Sequence, residues 1–235
     1  NVRSTVATYT GVHDELRKHF ARSEAAKQYG AKLAAEAGSK PGRHRGLTAG
    51  AFSYNTGSLR CETCDGTGQI SLDVQFLPDV EICCPDCRGC RYGRAAHEIR
   101  CFFDDGAAYS LPDLMAMSVD EALAVCAGLS RVSKKLQVLH DLGLGYLTLG
   151  EQTPGLSGGE AQRLKLASEM GRGQGDSVFV FDEPTIGLHP KDVQTLMGVF
   201  ASLITKGATV VVIEHDLDVI SSADYVVDMG PGGGL

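Results

Sequence analysis

The run Val178-Phe179-Val180-Phe181-Asp182-Glu183-Pro184 constrains the fold more than any other stretch of the chain. Alternating β-branched and aromatic residues ending in two carboxylates read as a buried parallel strand. A second apolar run, Ala208–Ile213, follows a helical segment from Pro190 to about Thr205. Strand, helix and strand in this order predict a parallel βαβ unit. Ligands of open α/β sheets lie beyond the carboxyl ends of the strands. Asp182 and Glu183 are therefore expected where a metal–phosphate group would sit, with His215 just past the second strand. Upstream, Ser157-Gly158-Gly159 opens a helix whose free N–H groups and macrodipole favour phosphate. Ser-Gly-Gly is also an ordinary N-cap, and Asp-Glu at a strand end is often a solvated turn. Together and in this order they point to nucleotide chemistry.

The second strong constraint is sulfur. Cys61-Glu62-Thr63-Cys64 and Cys84-Pro85-Asp86-Cys87 are two C-x-x-C pairs with nineteen residues between them. Each pair forms a tight knuckle with converging thiolates, and two knuckles supply a closed tetrahedral Zn²⁺ site. Cysteine redox chemistry and a cluster of another metal are the alternatives. Between the pairs, Gln69–Phe76 and Val80–Cys83 read as strands joined by a turn at Leu77-Pro78-Asp79. A lone hairpin is marginal, and a bound metal would hold its base. Cys83 and Cys90 crowd the second knuckle and read as partly buried free thiols, with a part in metal binding left open; Cys101 and Cys126 read as core. The run Cys61–Gly68 resembles one repeat of the DnaJ-type zinc domain, but only one full and one degenerate copy occur where that family needs four.

The remainder is ordinary. Residues 12–37 predict a helix interrupted at Gly30, residues 95–103 a strand, and Ser118 with Glu121 a capping box. Arg131–Leu142 predicts a helix ending at Gly143, and Val226–Asp228 a last short strand. The net charge of −7 divides unevenly: residues 1–103 carry 14 Lys/Arg and 11 Asp/Glu, residues 104–235 carry 8 and 18. Between Arg17 and Arg60 the count is nine basic to two acidic, which suits either a solvated face or one that meets nucleic-acid phosphates. No apolar run is long enough to cross a membrane, and the N-terminus has no signal-peptide pattern. The cytoplasm is the expected compartment, and metal ligation rather than disulfides the expected use of the cysteines. The start at Asn1 without methionine suggests a piece of a longer protein.

Three motifs carry a resemblance. LSGGEAQR (Leu156–Arg163), VFVFDEP (Val178–Pro184) and IEHD (Ile213–Asp216) resemble the signature, Walker B and switch histidine of ABC ATPases. With the four-cysteine hairpin inserted, the chain is similar to the C-terminal half of the UvrA family, damage-recognition ATPases of bacterial nucleotide excision repair. The matching segments include Ala7–Val12, Phe52–Asn55, Arg60–Gly68, Phe76–Val80, Cys84–Gly89, Leu156–Ala167, Asp182–His189 and Val212–Ile220. Residues 23–50 depart from that pattern, and Cys90 stands where a basic residue is usual. The resemblance therefore also embraces class II UvrA-like paralogues associated with drug resistance, which would protect or sequester a target without excision.

The resemblance implies an α/β fold: an ABC nucleotide-binding half with a parallel-sheet core, a helical signature domain and an inserted zinc hairpin. The signature domain would span residues 1–175, with the zinc module at about 58–103, and residues 176–235 would complete the ATPase core. Asp182 would hold the Mg²⁺ shell, Glu183 would orient or deprotonate the attacking water, and His215 would contact the γ-phosphate. Ser157, Gly158 and Gly159 would cap ATP bound to the opposite half, with Gln162 and Arg163 supporting their helix. Cys61, Cys64, Cys84 and Cys87 would hold structural Zn²⁺, while Arg88, Arg91 and Arg94 would touch DNA. His189 stands where most ABC proteins carry aspartate. The implied partners are damaged double-stranded DNA, a second copy of the protein, and UvrB through the other half; no membrane partner is implied. No G-x-x-x-x-G-K-[S/T] occurs in the chain, so the resemblance puts the Walker A loop before Asn1 and implies that this chain alone does not hydrolyse ATP. An ABC transporter domain would lack the zinc hairpin, a chromosome-maintenance ATPase would carry long heptad arms, and a pure zinc module would not need Asp182, Glu183 and His215.

Overall fold

The computed structural model describes residues 3–36, 46–72, 80–170 and 177–230. The chain opens with a helical layer. Thr5 caps a single turn, α1 (Val6–Tyr9), and Gly11, at φ 72°, turns the backbone into α2 (Val12–Arg22). Ser23 then ends α2 and starts α3 (Glu24–Glu36): its hydroxyl donates to the Phe20 carbonyl at 2.7 Å and accepts from the Ala26 amide at 3.1 Å. The break expected at Gly30 thus lies at Ser23, where a side chain competes for backbone groups. Gly30 is small for another reason, since a Cβ there would lie 3.0 Å from the Gly46 Cα.

The hairpin pairs β1 (Gln69–Leu72) with β2 (Val80–Cys83) in antiparallel register, Gln69 opposite Cys83 and Leu72 opposite Val80. The expected continuation of β1 to Phe76 and the Leu77–Asp79 turn lie outside the described residues. Residues 95–103 are not one strand. Gly93 leads into α4 (Arg94–Glu98), and only β3 (Arg100–Phe102) is extended, paired with β4 (Ala108–Ser110). Arg-Ala-Ala-His-Glu has good helix formers and no β-branched residue, so local propensity decides that stretch.

Side-chain caps then punctuate the helices. Ser110 with Asp113 opens α5 (Leu111–Ala116), Ser118 with Glu121 opens α6 (Val119–Val125), and α7 runs from Ser130 to Asp141. α8 (Gly158–Glu169) packs on α1 and α7. One core joins these helices: Leu16 and Phe20 of α2, Leu114 of α5, Leu136 and Leu139 of α7, and Phe52 and Tyr92 from connecting segments. Cys101 and Cys126 belong to it, as expected.

The C-terminal region is the parallel pair β5 (Val178–Asp182) and β6 (Thr209–Ile213), with α9 (Pro190–Thr205) between them in sequence. Phe179, Phe181, Val210 and Val212 face inward, and the Phe181 ring lies 4.9 Å from that of Phe200 on α9. The opposite face is bare: Val178 is 66% exposed and Val180 63%. The expectation of a fully buried strand is therefore corrected. Parallel strands are buried when both faces are covered, and among the described residues only one face is. α10 (Leu217–Ser221) follows. The last expected strand, Val226–Asp228, is unpaired and exposed, because a strand needs a neighbour's backbone groups and none of the described residues lies alongside.

Candidate metal centre and nucleotide-facing residues

The two knuckles form by local backbone bonding. In the first, the Gly66 amide donates to the Cys61 carbonyl at 3.1 Å and Thr67 to Cys64 at 3.0 Å. Gly66 takes φ 76°, and a Cβ there would fall 1.7 Å from the Tyr54 carbonyl oxygen, so only glycine fits. In the second, the Arg88 amide donates to Cys84 at 2.8 Å and Cys90 to Cys87 at 3.0 Å. The Cys84 amide also donates to Gly68 at 3.0 Å, which brings the knuckles face to face at the base of the hairpin.

The sulfurs meet there. Cys61 and Cys84 Sγ are 3.9 Å apart, Cys64 and Cys87 Sγ 3.6 Å, and all four atoms lie within 4.8 Å of one another. Four thiolates at about 2.3 Å from a tetrahedral Zn²⁺ would stand about 3.8 Å apart. The group therefore has the donor number, spacing and burial of a closed metal site. Burial pushes the Cys61 and Cys87 thiols up. At Cys64 burial acts in the same direction but is outweighed, chiefly by the Gly68 amide 3.2 Å from its sulfur, and the thiol is lowered.

The module is seated on the helical layer. The Cys61 amide donates to Arg91 at 2.9 Å and Gly93 to Leu59 at 3.0 Å, closing the two chain passages against each other. Tyr92 is buried, with its hydroxyl donating to the Phe52 carbonyl at 3.0 Å and 2.7 Å from His13 Nε2. Burial, helped by Arg17, lowers the His13 pKa to about 3. Sequence patterning did not single out this pair, because a histidine on an apolar helix face carries no signal of its partner.

The three arginines separate. Arg88 and Arg94 are exposed beside the second knuckle. Arg91 is 3% exposed, with its guanidinium 5.1 Å from the centre of the Tyr54 ring. Its expected place on a DNA-facing surface is corrected: at φ 72° the backbone turns the side chain inward, where an aromatic face receives the cation.

The other candidate residues gather at the ends of β5 and β6. The Glu183 amide donates to the Ile213 carbonyl at 2.8 Å, and a Glu183 carboxylate oxygen lies 3.4 Å from His215 Nε2. Glu183 adopts φ 46°, a left-handed conformation costly for a side-chain-bearing residue. Asp182 is exposed beside it. Glu214 braces the site: it accepts from the Thr185 amide at 2.8 Å and hydroxyl at 2.6 Å, and from the amides of His215 and Asp216. Burial would raise its pKa, but these hydrogen bonds prevail and lower it. Glu214 was missed in the sequence because its partners come from two different loops.

Ser157 caps α8, its hydroxyl accepting from the Glu160 amide at 3.4 Å while the Glu160 carboxylate accepts from the Ser157 amide at 2.7 Å. The Tyr146 hydroxyl also donates to Glu160. Ser157 and Gly158 are exposed and a Cβ on Gly158 would meet open space, so the mouth of α8 is accessible. One turn on, the helix reaches the strand end. Gln162 Oε1 accepts from the Asp182 amide at 3.2 Å, and buried Arg163 donates to the Pro184 carbonyl at 2.8 Å. These bonds tie α8 to the carboxylate loop. The side chains of Lys191 and Asp192 lie outside the description.

No family model matches the chain. It is 44% identical over 233 residues to UvrABC system protein A of Staphylococcus aureus (strain COL), covering 99% of this chain and 22% of that protein. The chain belongs to the UvrA family. The same protein of Bacillus subtilis (strain 168) is 44% identical, again over 99% of this chain and 22% of the relative. Among solved structures, the crystal structure of UvrA2 from Deinococcus radiodurans superposes with a TM-score of 0.76 at 40% identity, covering 95% of this chain and 25% of that UvrA2 chain. This UvrA-family chain thus spans about a fifth of the length of the curated relatives it matches. No helix among its described residues is long and apolar enough to cross a membrane.

Proposed function

We propose that this chain forms the C-terminal ABC-type ATPase segment of a DNA-damage recognition protein in nucleotide excision repair. The observation that carries the reading is the convergence of Asp182, Glu183 and His215 at two parallel strand ends, tied through Gln162 to the signature helix. Residues 1–175 form the signature domain, with the zinc module at about 58–103, and residues 176–235 the remainder of the ATPase core. Asp182 offers an exposed carboxylate to a Mg²⁺ shell. Glu183 orients the attacking water and takes up its proton, and His215, whose side chain is exposed, reaches the γ-phosphate of ATP. Ser157, Gly158 and Gly159 present the helix mouth to the nucleotide of the opposite half. Magnesium, when bound, neutralises charge on the phosphate oxygens.

Structural zinc suits Cys61, Cys64, Cys84 and Cys87 by donor type and spacing. Arg88 and Arg94 meet DNA phosphates in a homodimer that works in the cytoplasm and passes damaged double-stranded DNA to UvrB through its other half. Replacing both arginines should weaken duplex binding and lower the salt slope by about two; unchanged affinity at several salt concentrations would remove them from the interface.

The ATPase reading is tested on the intact protein. Glu183→Gln should retain ATP binding and lose about 10²–10⁴-fold in turnover. The isolated chain, which has no phosphate-cradling glycine-rich loop, should be inactive, and turnover that survives Glu183→Gln would put the site elsewhere. The rival reading, a UvrA-like paralogue that protects or sequesters a target, keeps the ATPase behaviour but does not load UvrB on damaged DNA.

A further inference from the structure

A fifth sulfur stands at the metal centre. Cys90 is half-buried and packs against the four-cysteine group, with its thiol 3.5 Å from the Tyr92 carbonyl. Cys84, Cys87 and Cys90 recur every three residues, so Cys87-Arg88-Gly89-Cys90 is itself a C-x-x-C turn. The Cys90 amide donates to the Cys87 carbonyl at 3.0 Å, and Arg88 and Gly89 both take positive φ, 50° and 84°. A turn closed in this way holds its end Cα atoms within about 7 Å, and a disulfide spans Cα separations of about 4.4–6.8 Å. On its other side the Cys90 sulfur lies 3.6 Å from His97 Nε2, while His97 Nδ1 is 4.0 Å from the Asp113 carboxylate. A carboxylate on that side favours the tautomer with the proton on Nδ1, which leaves Nε2 free to accept.

We propose that Cys90 is the resolving thiol of an oxidisable metal centre, forming a disulfide with Cys87 when a hydroperoxide attacks. The proposal rests on the metal reading given above. In the first step the Cys87 thiolate attacks the terminal oxygen of the hydroperoxide; an S–O bond forms, the O–O bond breaks, and the alkoxide leaves (hydroxide, when the oxidant is hydrogen peroxide). Cys90 then attacks the Cys87 sulfenic acid. Its proton passes to His97 Nε2, the S–S bond forms, and the sulfenic oxygen leaves as hydroxide that is protonated to water. The two sulfurs supply the two electrons that reduce the peroxide. With Cys87 committed to the disulfide, only Cys61, Cys64 and Cys84 remain, and the site loses the fourth donor of a closed tetrahedron. Cys83 is no equivalent partner: it is exposed, and its sulfur is directed to the Cys84 carbonyl at 4.0 Å.

The test uses the intact, zinc-loaded protein treated with hydrogen peroxide. Zinc release is followed with a chromogenic chelator, and disulfides are mapped by peptide mass spectrometry. Wild type should yield a Cys87–Cys90 crosslink in step with zinc release. Cys90→Ser should bind zinc like wild type, release it severalfold more slowly and lose the crosslink. His97→Gln should slow the crosslink without changing zinc content, and Cys83→Ser should leave both rates unchanged. Equal release from wild type and Cys90→Ser, or a crosslink that bypasses Cys90, would overturn the proposal. So would a Cys90→Ser protein short of zinc, because Cys90 would then be a ligand. Wild type that never holds metal sinks the metal reading instead, and its crosslink map still decides this one.

Discussion

The cysteine module and the β5–β6 pair answer the same problem in opposite ways. Each must hold charged or polar groups in fixed positions on little core. In the module every ligand sulfur is buried, each knuckle is closed by its own amides, and Tyr92 pins the base to the helical layer. In the strand pair Asp182 and His215 are exposed and Glu183 is half-buried, one sheet face is uncovered, and order comes from Gln162, Arg163 and Glu214 reaching across. A metal site needs all its donors converging on one point and gains by excluding water. The nucleotide site proposed at the strand ends would have to stay open to a large anion. The difference is between a site complete within its own segment and one that presents half a surface.

The sharpest way to break this contrast is to remove a sulfur. Cys84→Ser should abolish stoichiometric metal binding, with a loss on the order of 10 kcal/mol of site stability, and unfold the hairpin. Metal analysis and hydrogen exchange check it; a hairpin that stays protected without metal would mean that backbone bonding alone holds the module.

Acid tests the seat of the module next. Free histidine titrates near 6.5, while buried His13 does so at about 3. Between those values the unfolded chain binds a proton that the folded chain refuses, so stability falls as pH drops from 6.5 toward 3 and is unaffected above that window. The full shift corresponds to roughly 4–5 kcal/mol. Denaturant titrations across pH 7 to 4 should show the slope, and His13→Gln should remove that share of it.

The strand pair should give the smallest effect. Arg163→Met removes the charged donor to the Pro184 carbonyl and should cost about 1.5–3 kcal/mol. The amides of Asp182, Glu183 and Thr185 should exchange faster while the knuckles stay protected. Faster exchange confined to the knuckles, or no change at the loop, would mean that α8 does not brace the carboxylates.

Much of this protein is legible along the chain because its signals are local. The capping boxes at Ser118 and Ser157, the paired C-x-x-C knuckles and the apolar runs of β5 and β6 each draw their physics from residues within a few positions of one another. Where local signals compete, reading by pattern failed. Gly30 lies within a helix and is small because a neighbouring backbone passes close, and the break comes at Ser23 instead.

What the sequence by itself determined is therefore the parts: which residues can ligate a metal, which cap a helix, and which apolar runs are extended. Only the tertiary structure decided their company. Arg91, Arg88 and Arg94 are equal as letters, yet Arg91 folds under a tyrosine ring while the other two reach water. Glu214 becomes a brace because Thr185 arrives from another loop, and Cys90 meets both Cys87 and His97 because two positive-φ residues bend the chain back. Val178 and Val180 have the composition of a buried strand but remain exposed. Burial and partnership are properties of surfaces brought together across long sequence separations, and residue spacing along one segment does not encode which surface arrives.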